Sequence, residues 1–292
     1  MQLPRSITLP MLLCAATQLL PAQIALQAGD KVAFLGDSIT EAGHDNPGGY
    51  VQLVRSALAA HGTAIEVVAA GVSGHKSNQM LERLERDVLS KKPQWLALSC
   101  GVNDVWHGKN GIPLADYQKN IRSIVEQAQA AGIKVVILTA TMIGEDQGNK
   151  NNQKLAPYNA FLRSLATEKH CLLADLNAEM QAALAEATKA AAVPKKEHLL
   201  TTDGVHMAFA GDVMMATGVL KTFGLDAAQI AKAKEVWLDA PGTHQWNAQA
   251  SLTQRQAQQL EKLAAARGIS VDDLLNQEFD KLVRSLLPAD KR

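Results

Sequence analysis

The chain has 292 residues, 47% of them apolar, which suffices to bury one full-sized core and leaves room for a small second unit. Lysine plus arginine and aspartate plus glutamate number 29 each, so no net field draws the protein toward nucleic acid or an anionic membrane surface. Three cysteines, Cys14, Cys100 and Cys171, are too few for a disulfide framework.

Residues 1–25 carry one charge, Arg5, then a mostly apolar stretch over 7–20, then the small residues Ala22 and Ala25. That order predicts a secretory signal peptide, and hence a secreted or periplasmic protein. The apolar stretch is too short, and too interrupted by Pro10, Thr17 and Gln18, to span a bilayer, so no stable membrane insertion is expected. Leu13 does not suit a lipoprotein cleavage site, where a small residue should precede the cysteine. Export leaves Cys100 and Cys171, each placed in a predicted strand and expected as a small buried hydrophobe rather than half of a bridge.

Five short apolar or β-branched runs follow, over residues 31–35, 65–70, 94–99, 134–140 and 170–175, and read as buried parallel strands. Between them, residues 50–60, 80–89, 117–131 and 155–167 carry apolar residues at three-to-four spacing, with Gly132 as a stop. The alternation predicts a βαβ series and a three-layer α/β/α sandwich with a five-stranded parallel sheet. An amphipathic helix over 209–223 closes a catalytic domain spanning 26–224.

Beyond Gly224 the texture changes to helix formers broken by Pro241-Gly242, so residues 225–292 are expected as a helical C-terminal appendage. Its last part has a Ser251-Leu252-Thr253 start, a run to Ala266, Gly268, and a second run over 271–287, and it loosely resembles a ribbon-helix-helix module. A neutral, exported chain does not meet DNA, so no nucleic-acid partner is expected. Packing on the catalytic domain, or a homodimer through these helices, is the ordinary explanation.

Polar, glycine-rich clusters stand immediately after the first three strands: Gly36-Asp37-Ser38-Ile39-Thr40, Gly71-Val72-Ser73-Gly74 and Gly101-Val102-Asn103-Asp104. All three open onto the carboxyl edge of the sheet, where ligands bind in open parallel sheets. A fourth, Asp203-Gly204-Val205-His206, precedes the last helix of the catalytic region. Ester hydrolysis needs an activated hydroxyl, a base, an orienter for that base and oxyanion donors. Spacing offers Ser38 as nucleophile, His206 as base, and Asp203 as orienter, three residues before it. The backbone N–H groups of Ser38 and Gly71 and the side-chain amide of Asn103 are the candidate oxyanion donors. Taken singly, Ser38 could cap a helix, His206 could be a surface histidine, and Gly71 and Asn103 could be turn residues; together those readings need four coincidences.

The set resembles the SGNH (GDSL-type) hydrolase family: Ser38 in GDSIT, Gly71 in AAGVSG, Asn103 in GVND and His206 in DGVH, in the family's order and covering about residues 31–223. The resemblance implies a flavodoxin-like sheet, hydrolysis without metal or cofactor through an acyl-enzyme, and mixed backbone and side-chain oxyanion donors. Met207 departs from the proline many members have after the histidine. Asp37 and Asp104 are expected to hold loops through backbone N–H groups, Asp37 also counting among the pocket candidates. Trp106, His107, Thr141, Met142 and Ile143 are expected to line the substrate pocket, with His75 and Lys76 either touching a substrate hydroxyl or solvated.

Rival readings are weaker. Residues 71–77 end in Lys76-Ser77, but Ala70 and His75 occupy both positions where a phosphate loop needs glycine, and no G-x-S-x-G elbow occurs. A metal-dependent phosphoesterase using Asp37, Asn103, His107 and His206 would lack a D-x-H start and paired late histidines. A non-catalytic carbohydrate-binding module would have no need of Ser38, Asp203 and His206 together. The expected substrate is a short acyl ester, acetyl above all, on carbohydrate, with a lysophospholipase- or thioesterase-like acylhydrolase as the alternative.

Overall fold

The computed structural model describes residues 24–190, 198–238 and 253–286. Residues 1–23 of the segment expected as a signal peptide over 1–25, the Pro241-Gly242 break and Ser251-Leu252 lie outside the described residues.

In chain order the elements are β1 (Lys31–Gly36), α1 (Ser38–Asp45), α2 (Tyr50–Ala60), β2 (Glu66–Gly71), α3 (Ser77–Glu82), α4 (Leu84–Asp87), β3 (Trp95–Ser99), α5 (Val102–Trp106), α6 (Leu114–Ala130), β4 (Lys134–Leu138), α7 (Lys150–Glu168), β5 (Leu172–Ala174), α8 (Leu176–Ala190), α9 (Phe209–Thr222), α10 (Ala227–Leu238), α11 (Gln254–Arg267) and α12 (Val271–Leu286). The five strands form one sheet in the order β2-β1-β3-β4-β5, every neighbour parallel. The chain steps one way from β1 to β2 and the other way from β2 to β5. Right-handed crossovers therefore put α2 on one face and α3, α6 and α7 on the other. Packing agrees: α2, α8, α9 and α10 gather into one layer, α3, α6 and α7 into the second.

The strands read as continuous hydrophobic runs because both faces are covered. Val32 to Leu35 on β1 and Leu96 to Leu98 on β3 are buried, as are Val135 to Leu138 on β4. Cys100 and Cys171 lie one residue after β3 and one before β5 rather than within them, and both are free thiols.

The catalytic layer system extends past Gly224. Ile230, Ala233 and Trp237 of α10 are buried, α10 packs on α2 and α9, and the Trp237 indole donates to Ser56 Oγ at 3.2 Å. The chain divides into two compact units, 1–244 and 245–292, and α10, within the span expected as an appendage, belongs to the first. In the second unit Thr253 caps α11, Gly268 ends it in the left-handed region, and Ala264 and Leu274 are buried where α11 meets α12.

Candidate active site

Ser38 is the first residue of α1, directly after β1. The helix cap is Asp37 and not the serine: its Oδ1 accepts the Ile39 N–H at 3.0 Å. The Ser38 hydroxyl is left free of capping and stands 2.8 Å from His206 Nε2. Because β1 lies between β2 and β3, Ser38 sits where the strand order reverses, the usual crevice of an open α/β sheet.

His206 and Asp203 share one tight turn. Asp203 Oδ1 accepts the backbone N–H groups of Val205 (2.9 Å) and His206 (2.8 Å), while Oδ2 faces His206 Nδ1 at 2.7 Å. Partial burial raises the Asp203 carboxyl, but the imidazole and the two backbone N–H groups outweigh it and hold it at about 2. An ionised carboxylate can only accept, so Nδ1 carries the proton and Nε2 is free to accept from the Ser38 hydroxyl. Gly204, at φ +93°, makes the reversal between the two residues.

The second and third clusters close around the serine. Gly71 ends β2 in register with Gly36, and a Cβ there would collide with the backbone of Glu41 on α1, so the helix that starts at Ser38 can cross this close only over glycine. Glu41 is tied to the same cluster, accepting the N–H and hydroxyl of Ser73. Asn103 is buried, and its Nδ2 donates to the His75 carbonyl at 3.2 Å and to Asp37 Oδ2 at 3.3 Å. Burial pushes the Asp37 carboxyl up to about 6, against the Ile39 N–H and with help from the nearby Asp104. Asp104 has the supporting part expected of it, accepting the Ser77 N–H at 3.0 Å and the Ser77 hydroxyl at 2.6 Å.

The pocket expectations divide. Trp106 is 44% exposed, with its ring 6.5 Å from that of His206 and 6.1 Å from that of His107. His107 Nε2 donates to Asn103 Oδ1 at 3.1 Å. Thr141, Met142 and Ile143 are instead buried in the interior: the chain turns inward after β4, and Asn177 Nδ2 holds the Thr141 carbonyl at 2.8 Å. His75 Nδ1 accepts from Arg83 Nε, and Lys76 Nζ donates to the Asn110 carbonyl, so both serve the scaffold. Among the described residues no three His, Cys, Asp or Glu side chains gather as a metal-ion site.

Arg83 and Glu145 were not singled out by the sequence. The buried Arg83 guanidinium donates at 2.8 Å to the carbonyls of Gly36, the last residue of β1, and Ala70, the last but one of β2, and pairs with Asp87. Glu145 accepts hydrogen bonds from residues 199–201, just ahead of Asp203. Both act on main-chain groups, which leave no residue-type signature.

Sheet order and the four loop clusters together define an SGNH-type carboxylic ester hydrolase. The chain belongs to the GDSL-like lipase/acylhydrolase family, whose model matches residues 34–212. It is similar to the acetylxylan esterase of Geobacillus stearothermophilus, with 27% identity over 218 residues that cover 68% of this chain and 96% of that protein. The crystal structure of that enzyme, Axe2, superposes with a TM-score of 0.61 over 69% of this chain and 97% of the other. The acetyl xylan esterase AlAXEase superposes equally well, TM-score 0.61, at 33% identity over 65% of this chain and 98% of that one. Esterase TesA of Pseudomonas aeruginosa is 36% identical over 126 residues, 43% of this chain and 60% of TesA.

Proposed function

We propose that the enzyme removes short acyl groups, acetyl first, from carbohydrate through an acyl-enzyme on Ser38, and that the protein is exported by its N-terminal leader. The observation that carries the acyl-enzyme is the hydrogen-bonded series Ser38 Oγ–His206 Nε2 (2.8 Å) and His206 Nδ1–Asp203 Oδ2 (2.7 Å). His206 takes the Ser38 proton as Oγ attacks the ester carbonyl, and gives it to the leaving alcohol as the C–O bond breaks. Water, deprotonated by the same imidazole, then attacks the acyl-serine and releases the acid, returning the proton to Ser38. Asp203 holds the imidazole and stabilises its cation.

The charge that develops on the carbonyl oxygen falls to the backbone N–H groups of Ser38 and Gly71 and to Asn103. A tetrahedral oxyanion takes over one of the Asn103 N–H bonds now made to His75 and Asp37. Two observations favour carbohydrate over lipid as the alcohol. An exposed aromatic plane, Trp106, stands beside His206, suited to the apolar face of a sugar ring, and two relatives are acetylxylan esterases by name.

The test is hydrolysis of para-nitrophenyl acetate, butyrate and decanoate and of acetylated xylooligosaccharide, with chelator present, by the mature chain and its Ser38→Ala variant. Fastest cleavage of acetate, acetate release from the glycan and an inert variant are expected. Preference for decanoate would replace this reading with the lysophospholipase- or thioesterase-like one, and loss of activity in chelator would favour a metal-dependent phosphoesterase. A mature chain that turns over no ester would be a binding module.

A further inference from the structure

The turn carrying Asp203 and His206 is not the end of a strand. β5 ends at Ala174, and α8 intervenes before the turn begins. The turn closes on itself, with Thr202 N–H to the His206 carbonyl at 2.8 Å, Ala208 N–H to the Leu200 carbonyl at 2.9 Å, and Gly204 N–H to Thr201 Oγ1 at 3.1 Å. Such closure fixes its shape but not its position over Ser38.

A side chain on another loop holds the turn from outside. Glu145 Oε2 accepts the Leu199 N–H at 2.6 Å, and Oε1 accepts the N–H groups of Leu200 and Thr201 at 2.8 Å and the Thr201 hydroxyl at 2.7 Å. Four donors thus converge on one carboxylate. Partial burial raises this carboxyl, but the donors from Leu199, Thr201 and Leu200 bring it below its ordinary value. The loop bearing Glu145 is itself anchored to α7: Asn152 accepts the Ile143 N–H at 2.8 Å and donates to the Gly144 and Asp146 carbonyls at 3.1 and 2.7 Å. A second tie, Gly144 N–H to the Gly204 carbonyl at 2.6 Å, reaches the tip of the turn.

We infer that Glu145 is a positioning residue for catalysis: its carboxylate sets the placement of the Asp203–His206 turn against Ser38 without touching the substrate. The inference rests on the proposed roles of Asp203 and His206. A displacement of about 1 Å in a base can cost on the order of a hundredfold in rate, so a clamp of this kind should be read in kcat more than in KM.

The experiment uses the full mature chain on para-nitrophenyl acetate. Glu145→Ala is expected to lower kcat about 30-fold with KM changed less than about twofold, and Glu145→Gln, which keeps one acceptor oxygen, to fall between it and wild type. Thr201→Val removes one of the four donors, together with the acceptor of the Gly204 N–H, at nearly constant side-chain shape and should cost about threefold to tenfold, which covers the case in which Glu145→Ala does not fold. A double-mutant cycle separates positioning from general stability. In an Asp203→Ala background, where placement of the turn has already lost its catalytic value, Glu145→Gln should cost less than about twofold. Equal losses in both backgrounds, or a kcat loss that tracks thermal unfolding, would overturn the inference. If His206→Ala is inert while Glu145→Gln and Thr201→Val match wild type, the inference fails alone; if His206→Ala matches wild type, the triad reading fails with it.

Discussion

Asp203 is bonded to His206 twice, once through the backbone N–H at 2.8 Å and once through the imidazole at 2.7 Å, so one carboxylate both folds the turn and orients the ring. The two duties separate on substitution. Asp203→Asn keeps an oxygen for the Val205 and His206 N–H groups but turns an amide N–H donor toward Nδ1, so the wrong tautomer is favoured. We expect kcat for para-nitrophenyl acetate to fall about 10³-fold with little change in melting temperature. Asp203→Ala should lose a similar factor in kcat and, in addition, about 1 kcal/mol of stability from the undone turn. Kinetics beside thermal unfolding of the two variants checks this; equal stability losses would mean that the backbone bonds count for nothing.

Arg83 joins the strand ends that carry the first two clusters, through the carbonyls of Gly36 and Ala70. Arg83→Met keeps much of the volume but strands two buried carbonyls and leaves Asp87 without this partner. A loss of about 3 kcal/mol in urea unfolding is expected, with kcat reduced beyond what the unfolded fraction explains. Arg83→Lys, which cannot reach both carbonyls, should recover less than half of either loss.

Trp106 presents a large, 44% exposed aromatic surface beside the His206 ring. Trp106→Ala should raise KM for acetylated xylooligosaccharide about tenfold, and by at least about fivefold more than KM for para-nitrophenyl acetate. Equal effects on both substrates would remove the stacking argument for carbohydrate.

Asp212 accepts the Tyr50 N–H at 2.9 Å at the start of α2, and burial pushes its carboxyl up to about 7. A carboxyl raised above its unfolded value binds its proton more tightly when folded. Its contribution is therefore intact below about pH 4 and is lost progressively as pH rises through 7. Asp212→Asn keeps the acceptor for Tyr50 without the charge. Its melting temperature should match wild type at pH 4 and exceed it by a few degrees at pH 8. Parallel curves across that range would show that Asp212 ionises without penalty.

Much of this was legible in the chain itself, for reasons particular elements make clear. β1 and β3 stand out because strands covered on both faces must be apolar throughout, and α2 runs over the expected 50–60 because its stripe faces one layer only. The segment expected as one helix over 80–89 is broken at Arg83, where the side chain turns under β1 and β2 and the backbone leaves helical geometry at ψ 3°. The clusters around Ser38, Gly71, Asn103 and His206 stand out in the chain because each is a run of consecutive glycine and polar residues. Glu145 and Thr141 do not: one works by accepting main-chain N–H groups, and the other is hidden by an inward turn that no local pattern announces.

Ser38 and His206 lie 168 positions apart. Their 2.8 Å contact exists only once the first strand has found its central place and the turn beyond α8 has docked above it. A nascent or truncated chain that ends before residue 203 keeps Ser38 but lacks the proposed base, and is expected to leave esters intact. On the proposed roles of these two residues, release of para-nitrophenol from its acetate is therefore a direct readout of completed folding during refolding.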